Sequence, residues 1–189
     1  MERLHQIHRA FAALNLGAGF AGLAFRDTPI ELNIILLAVL FVMLRAKFWY
    51  DDEAYLEDVG RGVLPGGLPF GFGMFLAVAS WIAWAFAGFY IKDLGLCALL
   101  MVVVFGISTL WVVAAMVKRG AYAEQVPWLF FNAFYALAFY LIHARGEAWN
   151  PFAEHADRFA TAVLVLLFAV FFADLGITRI LEQRRRSAA

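Results

Sequence analysis

Long apolar runs alternate with short polar breaks along this chain. A helix needs about 20 mainly apolar residues to cross a bilayer. Six segments approach or meet that length: 4–25, 29–48, 68–91, 94–117, 126–143 and 158–181. The third, fourth and sixth are the most continuous. The first has an uncharged stretch of only 16 residues, Ala10 to Phe25, and the interface is its alternative place. The predicted fold is therefore all-α, a polytopic integral membrane bundle forming a single transmembrane domain over 1–189. It has six spans, or five if the first helix lies in the interface.

All five prolines support these boundaries. Pro29, Pro65, Pro69, Pro127 and Pro151 fall before a span or at its start, and none lies inside one. Proline is tolerated in a helix's first turn, where its missing N–H would have no partner anyway. The charged stretch Glu2 to Arg9 followed by Ala10 to Phe25 resembles a secretory leader. It runs into Arg26-Asp27-Thr28-Pro29 without a small-x-small cleavage site, so it reads as a retained helix.

Composition narrows the class. Apolar residues make up 64% and charged residues 16%, and mean hydropathy is +0.76. Soluble domains run at about 45–50% apolar and about 25% charged. These values exclude a soluble globular enzyme, a disordered chain and a nucleic-acid binder. Basic and acidic residues balance at 15 each, so no net field favours nucleic acid. The single cysteine, Cys97, permits no disulfide within the chain and sits among apolar neighbours as a buried thiol.

The sites of the basic residues carry more than their number. With the N-terminus inside, the cytoplasmic ends hold Arg3, Arg9, Arg45, Lys47, Arg61, Lys118, Arg119, Arg179, Arg184, Arg185 and Arg186. The outer side holds only Arg26, Lys92, Arg145 and Arg158. This 11:4 division predicts both termini in the cytoplasm. Arginine outnumbers lysine, which points to a GC-rich bacterial source and an inner (plasma) membrane. The longest connection falls on the cytoplasmic side. Its stretch 48–67 carries aromatics, then the acids Asp51, Asp52, Glu53, Glu57 and Asp58, and reads as an amphipathic connection at the inner interface.

Small residues recur at i, i+4 spacing as Ala79, Ala83 and Ala87, as Ala13, Gly17 and Ala21, and as Ala169 and Ala173. Such stripes allow close helix approach within one chain or between copies.

Polar groups inside apolar runs point to function, because they are costly in lipid. At a rise of about 1.5 Å per residue, Asn15 lies about 16 Å into the first span and Ser80 about 18 Å into the third. On the same rise Asn132 lies about 9 Å into the fifth, Asp174 about 11 Å from the inner end of the sixth, and Ser108 and Thr109 about 13–15 Å from that of the fourth. Asp174 is the only acid well inside an apolar run. It must be protonated or paired, and Arg45 and Lys118 are the candidate partners. Asp174 can line a solute pathway or fasten two helices. Asn15 and Asn132 can do either as well, and Ser80, Ser108 and Thr109 can return their hydroxyls to the i−4 carbonyl.

Enzyme readings fail on depth or on ligand set. Ser108 lies about 21 Å from His143 along the bilayer normal, too far for a nucleophile and base. His5 and His8 could hold a metal with Glu2 but read better as a solvated helix start, His143 and His155 read as interfacial histidines, and the acids Asp51 to Asp58 lack companion histidines. No catalytic, cofactor-binding or metal-binding set emerges, and no cofactor is implied. Two functions lead, with an enzyme third. The first is a small channel or transporter for a small polar solute or ion, built as a homo-oligomer in the lipid bilayer. The second is a non-catalytic membrane subunit or sensor that recruits a cytoplasmic protein partner through 48–67 and the basic C-terminal tail.

Overall fold

The computed structural model describes residues 2–25, 30–60, 70–119 and 125–188. Among these residues the chain is helical, with no strand. The helices are α1 (Glu2–Ala24), α2 (Leu32–Gly60), α3 (Phe70–Phe89), α4 (Leu94–Arg119), α5 (Gln125–His143) and α6 (Ala156–Ala188), with one 3-10 turn at Ala153–His155. Helices α2 to α6 are each long and apolar enough to cross a membrane. α1 is not in that set. It nevertheless runs the length of its neighbours, with His5 against Glu53, Gly19 against Phe41 and Gly22 against Gly88.

Local chemistry sets several boundaries. Asp93 caps α4, accepting the Leu96 N–H on its side chain at 3.0 Å and the Cys97 N–H on its carbonyl. Pro127 occupies the first turn of α5. The stretch 48–60, expected to belong to an interfacial connection, instead prolongs α2 without a break. No glycine or proline interrupts it before Gly60, and Asp51 falls one turn after Lys47, where an i, i+4 pair favours helix. Residues 61–67 of the expected connection lie outside the described residues.

The helices alternate in direction and close into a ring. Each packs on two neighbours in the cyclic order α1, α3, α4, α5, α6, α2. One end of the ring carries the start of α1 and the end of α6, and is called here the termini end. The far half is solid. Leu37, Leu40, Phe41, Ala87, Ile91, Cys97, Met101, Phe139, Ile142 and Leu164 are buried there. The outward face is apolar as well: Val39, Phe75, Phe86, Val103, Leu110, Phe130, Leu137, Val165 and Phe172 are exposed. A bundle whose surface is as oily as its interior suits lipid as its solvent.

α1 and α3 approach each other closely. A Cβ on Gly22 would stand 2.6 Å from the Phe89 carbonyl oxygen and also meet that of Gly88. Only glycine fits there. The expected Ala13, Gly17 and Ala21 stripe is not this contact, since a Cβ on Gly17 would meet nothing within 4 Å.

Candidate functional site

The termini half of the ring is hollow. A cavity of about 460 Å³ draws lining residues from all six helices: His8 on α1, Arg45, Lys47, Asp51 and Asp52 on α2, Ser80, Trp81 and Trp84 on α3, Ser108 and Trp111 on α4, Trp128 and Asn132 on α5, and Asp174 on α6. Small-molecule sites typically measure about 300–1,000 Å³ and are mostly apolar with a few placed polar groups. This one follows that pattern.

Its floor is aromatic. Phe105 stacks on Tyr135 at 4.8 Å and on Phe139 at 5.8 Å, and meets Trp84 edge-on at 6.3 Å. Trp84 also packs edge-on against Phe41 and Phe48. Trp84 and Phe48 line the cavity, and the other rings pack in the core behind them.

One wall holds an ion network. Lys47 Nζ donates to Asp51 Oδ2 at 2.5 Å and lies 3.1 Å from Asp174 Oδ2. The Tyr135 hydroxyl donates to that same oxygen at 3.1 Å. Thr178 Oγ1, one turn on from Asp174, donates to Oδ1 at 3.2 Å. Lys47 and Asp174 each expose only 3% of their side chains. A charge so far from water requires a partner with good geometry, and one ammonium here serves two carboxylates.

The opposite wall is built around Arg45. With the Asn15 amide oriented to satisfy its neighbours, its oxygen accepts from Arg45 Nε at 3.2 Å and its nitrogen donates to the Trp81 carbonyl at 3.0 Å. The guanidinium stands 5.8 Å from the Trp84 ring centre. His8 Nε2 lies 3.8 Å from Asp52 Oδ2. Outside the cavity, Glu53 gathers His5 at 2.6 Å and Arg9 at 3.2 Å.

Of the residues singled out in the sequence, Asp174, Asn132, Ser108 and Ser80 line the one cavity. Asn15 stands behind its wall, holding Arg45. Thr109 does not line it, and its buried hydroxyl has no partner. Ser108 donates to the Val104 carbonyl at 3.1 Å, the i−4 bond open to it in a helix. Asp174 pairs with Lys47 and not with Arg45. Positions 45 and 47 point about 200° apart on a helix of 3.6 residues per turn. Lys47 therefore faces α6 while Arg45 faces α1 and α3. The side chain of Lys118 lies outside the described residues. Lys47, Asp51, Asp52, His8 and the tryptophans were not among the sequence candidates for this site. The i, i+4 spacing of Lys47 and Asp51 was the available signal.

Comparison of the chain with protein families, with curated proteins and with solved structures returned no match.

Proposed function

We propose that this protein is a small membrane carrier that binds a small polar solute in the cavity and exposes it to one side of the membrane at a time. The observation that carries the reading is the one-ended cavity: charged at the termini half and closed at the other by packed side chains. A channel would need a continuous pore, whereas a carrier needs a central site closed on one side. The 11:4 division of basic residues supports a plasma membrane with both termini cytoplasmic, so the cavity would open inward. One chain encloses the cavity unaided, so a homo-oligomer, also proposed, is not needed to build it. The competing reading as a partner-recruiting subunit takes less from 48–67, because Asp51 and Glu53 there are already paired with Lys47 and His5.

Directional thiol labelling tests this. Ser80→Cys places a thiol in the cavity wall, while native Cys97 is fully buried and silent. A membrane-impermeant maleimide is expected to label the Ser80→Cys variant in inside-out vesicles and to react far more slowly in right-side-out ones. Equal labelling from both sides would show a through-pore. No labelling from either side would remove the cavity from any pathway.

A further inference from the structure

We infer that the cavity takes a small monocarboxylate with a flat apolar body, seated with its carboxylate on Arg45. This deepens the carrier reading and rests on it for the identification of the cavity as a solute site.

Arg45 is a buried cation without an ion pair. It is 1% exposed, and among the described residues no carboxylate comes within 4.0 Å of it. Its Nη2 is buried without a hydrogen-bond partner while the residue lines the cavity. A guanidinium removed from water without an anion in contact is costly. Lys47 does not share this need, because Asp51 and Asp174 already occupy it. Asp52 lies on the same α2 face two turns on, but beyond ion-pair reach, and half of its side chain is exposed. Lys47 is thus satisfied within the cavity wall, and Arg45 is not.

Two more lining residues carry a buried nitrogen without a partner, Trp128 at Nε1 and His8 at Nε2, and the indole nitrogen is a donor. A donor fork plus an indole N–H calls for an acceptor, and a planar guanidinium matches a carboxylate bidentately. Asp51, Asp52 and Asp174 limit the ligand's charge, because a dianion such as phosphate would meet three carboxylates in the same space. The body of the ligand follows from the walls. Trp81, Trp84, Trp111 and Trp128 present broad aromatic faces, which favour offset or edge contact with another flat ring.

The test uses the full chain in detergent and four probes: 3-phenylpropionate, its amide, 3-phenylpropylamine and inorganic phosphate. Binding is read by calorimetry at neutral pH. The acid is expected to bind at least tenfold tighter than the other three. Arg45→Gln should bring the acid and the amide to equal affinity. Trp128→Phe keeps the ring and removes only the N–H, so it should weaken the acid about tenfold, as for a lost hydrogen bond to a charged group. It keeps the proposal falsifiable if Arg45→Gln does not fold. Amine or phosphate binding as tight as the acid's, an unchanged acid affinity in Trp128→Phe, or no binding of the acid would each overturn the assignment. Failure of the carrier reading is distinguishable. Acid that binds tightly but is not taken up by proteoliposomes would sustain the ligand class and refute transport.

Discussion

Replacing Lys47 by methionine should be far more damaging than replacing Asp174 by asparagine, although the two residues form one ion pair. Lys47 stands 3.1 Å from Asp174 and 2.5 Å from Asp51. Without it, two carboxylates face each other in the cavity wall with no cation between them. Breaking a buried pair in this way costs about 3–5 kcal/mol. Asp174→Asn leaves Lys47 neutralised by Asp51. Its amide oxygen can still accept from Tyr135, so the loss is that of weakened hydrogen bonds, about 1–2 kcal/mol. For a chain of this length each kcal/mol moves the midpoint by about 2–4 °C, so Lys47→Met should fall by about 6–20 °C and Asp174→Asn by about 2–8 °C. Cys97 provides the assay, because it is fully buried and reacts with a fluorogenic maleimide only on unfolding. A third variant separates charge from shape. Lys47→Met with Asp51→Asn and Asp174→Asn removes every charge of the network and should recover most of the loss. An unchanged midpoint in Lys47→Met, or equal falls in both single variants, would refute the shared-ammonium account.

Other outcomes follow from the packing. Gly22→Ala would push a methyl into the Phe89 carbonyl and part α1 from α3, lowering stability by about 1–3 kcal/mol. Gly17→Ala meets nothing within 4 Å and should raise it by about 0.5–1 kcal/mol. Both are read by the same thiol assay. Phe105→Ala removes a fully buried ring stacked on Tyr135 and Phe139, at a cost of about 3–5 kcal/mol. Combined with Ser80→Cys, it should also lessen the sidedness of maleimide labelling by opening the aromatic floor.

The helices were legible because apolar length is a strong signal in a chain with lipid as solvent. Expected span 94–117 begins where α4 does, and 126–143 ends where α5 does. The end of α2 was not legible. Hydropathy stops at the first cluster of charge, so Lys47, Asp51 and Asp52 read as the start of an aqueous connection. In the fold they are wall residues on a helix that continues to Gly60. Polar residues within apolar runs were easier to single out, since each stands against its background. Four of them meet at one cavity. What sequence could not supply is which face each residue takes. Arg45 and Lys47 are two residues apart, yet one meets Asn15 and the other Asp174. The tryptophans carried no cue, because a ring that faces lipid and one that lines a cavity look alike in sequence.

The order of helices around the ring bears on how the chain is made. The ring closes between α2 and α6, so the seam joins an early helix to one synthesised much later. Before α6 emerges, Lys47 has Asp51 as a partner one turn away on its own helix. Asp174 then reaches the translocation machinery as an acid in an apolar segment, where a central aspartate adds about 2.5–3.5 kcal/mol to insertion. An ammonium already held at the right depth on α2 would draw the arriving segment into register. Assembly of this bundle would therefore turn on an electrostatic latch, set early and closed when α6 arrives.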